Sequence, residues 1–367
     1  MWGMKRILAL DGGGIRGVFS IAILERMEAI LRERFAGDRD GYVLADYFDF
    51  IGGTSTGAII ASMLSKGMSM RAVRESYEQL GPIVFRRKPL WKSWRAFYGS
   101  EAFATLLKDI FAEAPHEAMT LGSKKLRTLL LVAMRNGSTG STWTITNHPD
   151  APYNRRRKNG VPTNLDIPLW QLIRASAAAP GYFPTELVTL YSDEGDVQQF
   201  EFIDGGVSPY NNPSVAMYLS ATLPAFGINM PRGEGELYLC SVGTGALPER
   251  YAPGQLGRVN VVGGALRALR GLMESVRVEQ DKICRVLGRT LHGATIDSEI
   301  GDLKGAGMGQ FLYTRYQHQF TDAEIERCRR ETGSKKPLEL DDVASVGTLL
   351  RIGREYADAT VRPDHLP

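Results

Sequence analysis

Apolar positions along the chain fall into short unbroken runs that alternate with helical stripes. Ile7–Leu10 is a four-residue apolar run ending at Asp11 and three glycines, the pattern of a short buried strand. From Val18 to Leu31 the residues Val18, Ile21, Ala22, Leu24, Ile30 and Leu31 recur near helical spacing and predict a helix. Tyr47–Ile51 predicts a second strand closed by Gly52 and Gly53. Ala58–Leu64 predicts a buried helix with Gly67 at its C-cap. Leu126–Ala133 reads as a central strand and Trp143–Thr146 as another, with Asn136-Gly137 turning the chain between them. Leu169–Ala179 reads as a helix stopped by Pro180. Phe200–Ile203 and Leu237–Val242 read as strands, and Leu266–Leu287 and Val343–Ala359 as long helices. This alternation predicts a parallel or mixed sheet covered by helices on both faces, with functional loops at the carboxyl ends of the strands.

Composition narrows the class. At 367 residues the chain has room for two domains or one large α/β domain. Its 43% hydrophobic and 23% charged residues are those of a globular protein with a real core, which excludes a disordered chain or a fibrous one. Mean hydropathy is −0.18, and runs such as Leu129–Met134 fall far short of the roughly 20 residues of a membrane span, so we expect no transmembrane segment. Lys and Arg number 44 against 41 Asp and Glu, and this net +3 is too mild to argue for a nucleic acid duplex as partner. Cys240, Cys284 and Cys328 match no disulfide framework or zinc spacing, and the N-terminal apolar run is too short for a signal peptide. A cytoplasmic address and buried, reduced thiols follow as expectations. The five histidines show no metal-ligand spacing, and we expect neither a metal nor a cofactor. A homo-oligomer is compatible with the sequence, which does not decide the point.

Three glycine-rich strand ends carry candidate chemistry. Gly53-Thr54-Ser55-Thr56-Gly57 fits G-x-S-x-G between a predicted strand and a predicted helix, the context in which a nucleophile elbow exposes a serine hydroxyl. The glycines Gly53 and Gly57 relieve crowding at that turn, and the helix behind Ser55 favours negative charge at its start. Asp11-Gly12-Gly13-Gly14-Ile15-Arg16-Gly17 has two readings. It contains the G-x-G-x-x-G of a dinucleotide site, without a clear acidic partner about 20 residues on. It also offers consecutive backbone N–H groups that suit an oxyanion hole built from Gly12, Gly13, Gly14 and Arg16. Asp204-Gly205-Gly206 places a carboxylate at a strand end, where it could accept a serine proton if it came within hydrogen-bond reach. Spacing alone does not bring Asp204 to Ser55.

Taken in order, Asp11–Gly17, Gly53–Gly57 and Asp204–Gly206 resemble the motifs of the patatin-like phospholipases. Ala175–Pro180 with Tyr182-Phe183-Pro184, and Ser241–Gly245, are similar to that family too. The resemblance runs from about Lys5 to Gly245 and more faintly beyond. It implies a three-layer α/β/α fold with a central, mostly parallel sheet: a core over residues 1–215, with 216–367 completing the same domain and mostly helical after 262. It also implies a Ser–Asp dyad, with Ser55 as nucleophile, Asp204 as base and the Gly12–Arg16 loop as oxyanion hole, hydrolysing acyl esters of glycerolipids at a membrane surface. At the level of family and chain length, the chain resembles bacterial antiphage effectors switched on by a cyclic nucleotide, which would make a cyclic nucleotide an activator.

Two further segments are basic. Phe85–Arg95 combines five basic residues with three aromatics and no acid, which suits either an anionic membrane surface or a solvated loop. Asn154–Asn159 reads as a solvated loop. Two other functions stay open on the residues alone. One is an α/β-hydrolase triad of Ser55, Asp204 and His292 or His318. The other is a non-catalytic nucleotide-binding module.

Overall fold

The computed structural model describes residues 3–37, 41–84, 101–155, 160–192, 195–248 and 261–367. The basic, aromatic segment Phe85–Arg95 and the Arg156–Asn159 part of the second basic cluster lie outside the described residues.

The strands are β1 (Lys5–Leu10), β2 (Phe50–Thr54), the small β3 (Ala112–Ala114) and β4 (Glu117–Ala118), β5 (Leu129–Asn136), β6 (Thr142–Thr146), β7 (Glu186–Tyr191), β8 (Val197–Asp204), β9 (Leu237–Val242), β10 (Arg289–His292) and β11 (Leu312–Tyr316). The helices are α1 (Gly17–Phe35), α2 (Thr56–Ser65), α3 (Met70–Val84), α4 (Glu101–Ile110), α5 (Leu169–Ser176), α6 (Ser214–Thr222), α7 (Val261–Leu287), α8 (Asp322–Thr332) and α9 (Val346–Thr360). The central sheet has the order β10-β11-β9-β1-β2-β5-β8-β7, with β6 on the second edge of β5. From β10 to β5 every pairing is parallel, whereas β6, β8 and β7 pair antiparallel.

Three layers follow from the two-residue period of the strands. In β1, Leu8 and Leu10 join the apolar cluster that contains α1, α2, α3, α5 and α9. Ile7 and Ala9 face the other way, toward Met217, Tyr218 and Ala221 of α6 and Cys284 of α7. β5 divides in the same manner, Leu130, Val132 and Met134 to one side and Leu131 and Ala133 to the other. Strands buried on both faces read as unbroken apolar runs, which is why these were visible in the sequence.

The second strand departs from expectation. It runs over Phe50–Thr54, so Gly52 and Gly53 lie inside it rather than ending it. A side chain on Gly52 would meet Leu131 and Met217, and one on Gly53 would collide with the backbone of Gly57. The glycines are there for close approach, not for a turn. The α5 helix stops at Ser176, three residues short of its expected end.

Candidate functional site

Ser55 sits between β2 and α2 with φ 54° and ψ −121°, a left-handed backbone for a residue that carries a Cβ. Its conformation is held from below. Its backbone N–H donates to Ser176 Oγ at 2.8 Å, and Ser176 Oγ in turn donates to the Ala133 carbonyl at 2.6 Å. A Cβ on Gly57 would strike the carbonyl of Leu10, so the glycine lets α2 start tight against β1. The N–H groups of that first turn point toward the serine.

Asp204 reaches Ser55 because of how β5 is paired. Ala133 pairs with Thr54 of β2 and Thr144 of β6, while Met134 pairs with Asp204 of β8 and Trp143 of β6. β6 fills one edge of β5, so β2 and β8 share the other and meet end to end on adjacent rungs. The last residue of each strand, Thr54 and Asp204, therefore faces the other, and Ser55 is next in line. Ser55 Oγ donates to Asp204 Oδ2 at 2.7 Å, and Asp204 Oδ1 accepts from the Gly206 N–H at 2.6 Å. The Asp204 N–H donates to the Ala178 carbonyl at 3.0 Å, so α5 and its following turn touch both residues of the pair. A Cβ on Gly205 would collide with the Ala133 carbonyl, and one on Gly206 would crowd Asp204 and Asn211. Burial pushes the Asp204 carboxyl up to about 6, against the lowering effects of the Ser55 and Gly206 hydrogen bonds and of the Arg174 charge.

The Asp11–Gly17 loop closes over this pair. A Cβ on Gly12 would lie 3.4 Å from the Ser55 Cβ. The loop donors are not all free for a ligand. The Gly12 N–H donates to the Asn211 carbonyl at 2.9 Å, Ile15 N–H to Leu340 at 2.8 Å, and Arg16 N–H to the Gly13 carbonyl at 3.2 Å. Of the N–H groups of Gly12, Gly13, Gly14 and Arg16, those of Gly12 and Arg16 are thus engaged within the protein. Asp11 anchors the loop. Arg315 on β11 donates Nη1 to Asp11 Oδ1 at 2.8 Å and Nη2 to Oδ2 at 2.5 Å, with both side chains buried. Burial raises the Asp11 carboxyl, and Arg315 opposes that rise.

Gly13, Gly14, Ser55 and Asp204 line one cavity of about 650 Å³. Ile59, Leu80, Val84, Phe103 and Phe183 make one part of its wall apolar, and Arg16, Glu274, Lys336 and Glu339 make another part charged. A serine bonded to a buried carboxylate beside backbone N–H groups that have no partner among the described residues can carry out acyl transfer. Neither candidate histidine is part of it. His318 Nε2 pairs with both Glu324 oxygens at 3.0 Å, beside the N-cap of α8. His292 stacks on His365 at 4.3 Å, where burial lowers it to about 4. Asp204 bonds the serine directly, in the place a triad gives to an imidazole. The loop read as a nucleotide motif belongs to the serine's own cavity. Among the described residues, no group of three or more His, Cys, Asp or Glu side chains is placed to hold a metal ion.

Sequence reasoning missed Ser176, Arg174, Asn211 and Arg315. Ser176 lies inside the Ala175–Pro180 stretch and Arg174 directly before it, though no role was read for either; Asn211 follows the Asp204–Gly206 motif; Arg315 lies 304 residues from its partner and nothing local marks it.

Residues 8–218, more than half of the chain, match the family model described as patatin-like phospholipase, and the chain belongs to that family. Patatin-08 from Solanum tuberosum is 30% identical over 254 residues, which takes in 67% of this chain and 62% of that protein. Patatin group M-1 from the same plant is 28% identical over 257 residues with the same coverages. The match thus spans about three-fifths of the length of these relatives. Among solved structures, VipD from Legionella pneumophila is 14% identical, covering 95% of this chain and 67% of VipD, with a TM-score of 0.34, a likeness too slight to argue from.

Proposed function

We propose that this chain is a lipid acyl hydrolase working through a Ser55–Asp204 dyad. Ser55 Oγ attacks the carbonyl carbon of an acyl ester while its proton passes to Asp204 Oδ2. The oxyanion that forms lies against the N–H groups of Gly13 and Gly14 and the start of α2. Removing one such donor from a comparable site costs about 3–4 kcal/mol of transition-state stabilisation. Collapse expels the alcohol, which takes the proton from Asp204 and leaves the acyl group on Ser55. Water then attacks the acyl-enzyme and loses a proton to Asp204; collapse of that intermediate breaks the bond to Ser55 Oγ, which takes the proton back from Asp204 as the fatty acid departs. One observation carries the reading: the 2.7 Å hydrogen bond from the strained Ser55 to a buried carboxylate, inside a cavity with an apolar wall for an acyl chain. Burial brings the Asp204 carboxyl nearer to neutrality while leaving it ionised at pH 7, which suits a general base.

The finer part of the proposal is a membrane phospholipid as substrate, met by peripheral contact from a cytoplasmic address. The free, buried thiols of Cys240, Cys284 and Cys328 suit a reducing compartment. No helix among the described residues is long and apolar enough to cross a membrane. A cyclic-nucleotide activator and an antiphage role rest on the resemblance in family and chain length alone. Mixed phospholipids incubated with wild type and with Ser55→Ala, then analysed by mass spectrometry, test the reaction. Free fatty acid and lysolipid from wild type only support it, and equal release by the two proteins would refute it. The same assay run with a panel of cyclic nucleotides tests activation, and an unchanged rate would remove that part.

A further inference from the structure

α5 contacts both members of the pair through Ser176 and the turn that follows, and it also carries a buried cation. Arg174 has no solvent exposure. Its Nη2 donates to the Pro184 carbonyl at 3.0 Å, while Nε and Nη1 have no hydrogen-bond partner. Its guanidinium lies 5.4 Å from the centroid of Phe183 and 5.7 Å from that of Phe103, the two rings that also face the cavity. It makes no ion pair among the described residues. A buried charge left without a partner is among the costliest features a fold can hold, and an apolar side chain of similar length would fill the same space. Relief from the carbonyl end of α5 offsets only part of that cost.

We propose that Arg174 is a positioning residue whose charge, acting through the low-dielectric interior, keeps Asp204 ionised so that it can accept the Ser55 proton. This inference rests on the dyad reading. α5 sets that charge beside the pair without a hydrogen bond to it: its Ser176 accepts from the Ser55 N–H, and the Ala178 carbonyl in the turn that follows accepts from the Asp204 N–H at 3.0 Å. Other groups around Asp204 have competing uses. Arg135 on β5 donates to the Val207 carbonyl at 2.9 Å, and Glu274 on α7 is paired with Arg277. Arg16 lines the cavity on the loop side. Glu186 on β7 is the acid nearest in effect to Arg174. It pulls on the same cation; burial raises the Glu186 carboxyl, and Arg174 opposes that rise.

The test is the pH dependence of kcat/KM on a soluble ester from pH 4 to 9, with the rate of fluorophosphonate labelling of Ser55 as a second readout. Arg174→Met should move the acid midpoint up, with a matching loss of rate on the acid limb. Arg174→Lys, which keeps the charge, should leave the midpoint near wild type. Glu186→Gln should move it the opposite way, since the cation is then less occupied elsewhere. A folded Arg174→Met with the wild-type midpoint would overturn the inference, as would an Arg174→Lys that shifts as far as the Met variant. If Arg174→Met does not fold, an unchanged midpoint in Glu186→Gln overturns it instead. Wild type that neither hydrolyses the ester nor labels at Ser55 would sink the dyad reading itself, whereas intact labelling with no shift sinks only the role of Arg174.

Discussion

Replacing Asp204 by Asn should abolish hydrolysis and at the same time make the protein more stable. The carboxyl rises from the usual 3.8 to about 6 because burial disfavours its charge, even after the attraction of Arg174 is counted. The sign follows from linkage. A carboxyl whose folded value lies above its unfolded value costs stability wherever it must ionise. That cost is absent below pH 3.8, grows as the pH rises and is complete above about 6. Fully developed, it amounts to about 3 kcal/mol. Asn is nearly isosteric and neutral. Its Oδ1 can keep the bond from Gly206, and its amide can donate to Ser55 Oγ in place of the bond that Asp204 accepts. Asp204→Asn should therefore gain about 3 kcal/mol at pH 8 and only about 1 kcal/mol at pH 4.5. With an unfolding entropy of roughly 0.8 kcal/mol/K for a chain of this size, the gain at pH 8 is near 4 °C in Tm. Calorimetry at the two pH values, with ester hydrolysis measured alongside, checks both halves. A variant less stable than wild type at pH 8, or one that still hydrolyses the ester, would show the burial argument or the base assignment to be wrong.

Two other predictions follow from the same geometry. Gly13→Ala should lower kcat by at least a hundredfold with Ser55 still in place, because a Cβ there collides with the Thr244 side chain and must displace the loop. Steady-state kinetics together with a crystal structure or a circular dichroism spectrum would reveal whether loop position or global folding was lost. His292→Ala and His318→Ala should each keep hydrolysis within a few fold of wild type, since neither ring faces the cavity. Loss in either folded variant comparable to that of Ser55→Ala would favour a triad.

Much of the fold was legible because the central strands are buried on both faces and the glycine clusters mark their carboxyl ends. The meeting of Ser55 and Asp204 was not. It depends on β8 running antiparallel and taking the edge of β5 that β2 vacates at Ala133, a register that no local pattern encodes. The reach of the loop donors was likewise hidden. Asn211 and Leu340 claim the Gly12 and Ile15 N–H groups from distant parts of the chain. Some misses had a signal. Met70, Val73, Tyr77, Leu80 and Val84 fall on one helical stripe and form the buried face of α3. Thr321 and Glu324 make the capping box that starts α8, with Gly333 in the left-handed region at its end. β10 and β11 carried no such signal: they lie in the C-terminal stretch expected to be mostly helical, and pairing against β9 sets them in the sheet.

The central claim is that Ser55 carries the acyl group. The most direct measurement is peptide mass spectrometry after reaction with a fluorophosphonate, on wild type, Ser55→Ala and Asp204→Asn. The account predicts a single phosphonylated peptide containing Ser55 in wild type, none in Ser55→Ala, and labelling slowed by orders of magnitude in Asp204→Asn. Label on another residue, or hydrolysis of phospholipid by a protein whose Ser55 cannot be labelled, would contradict it.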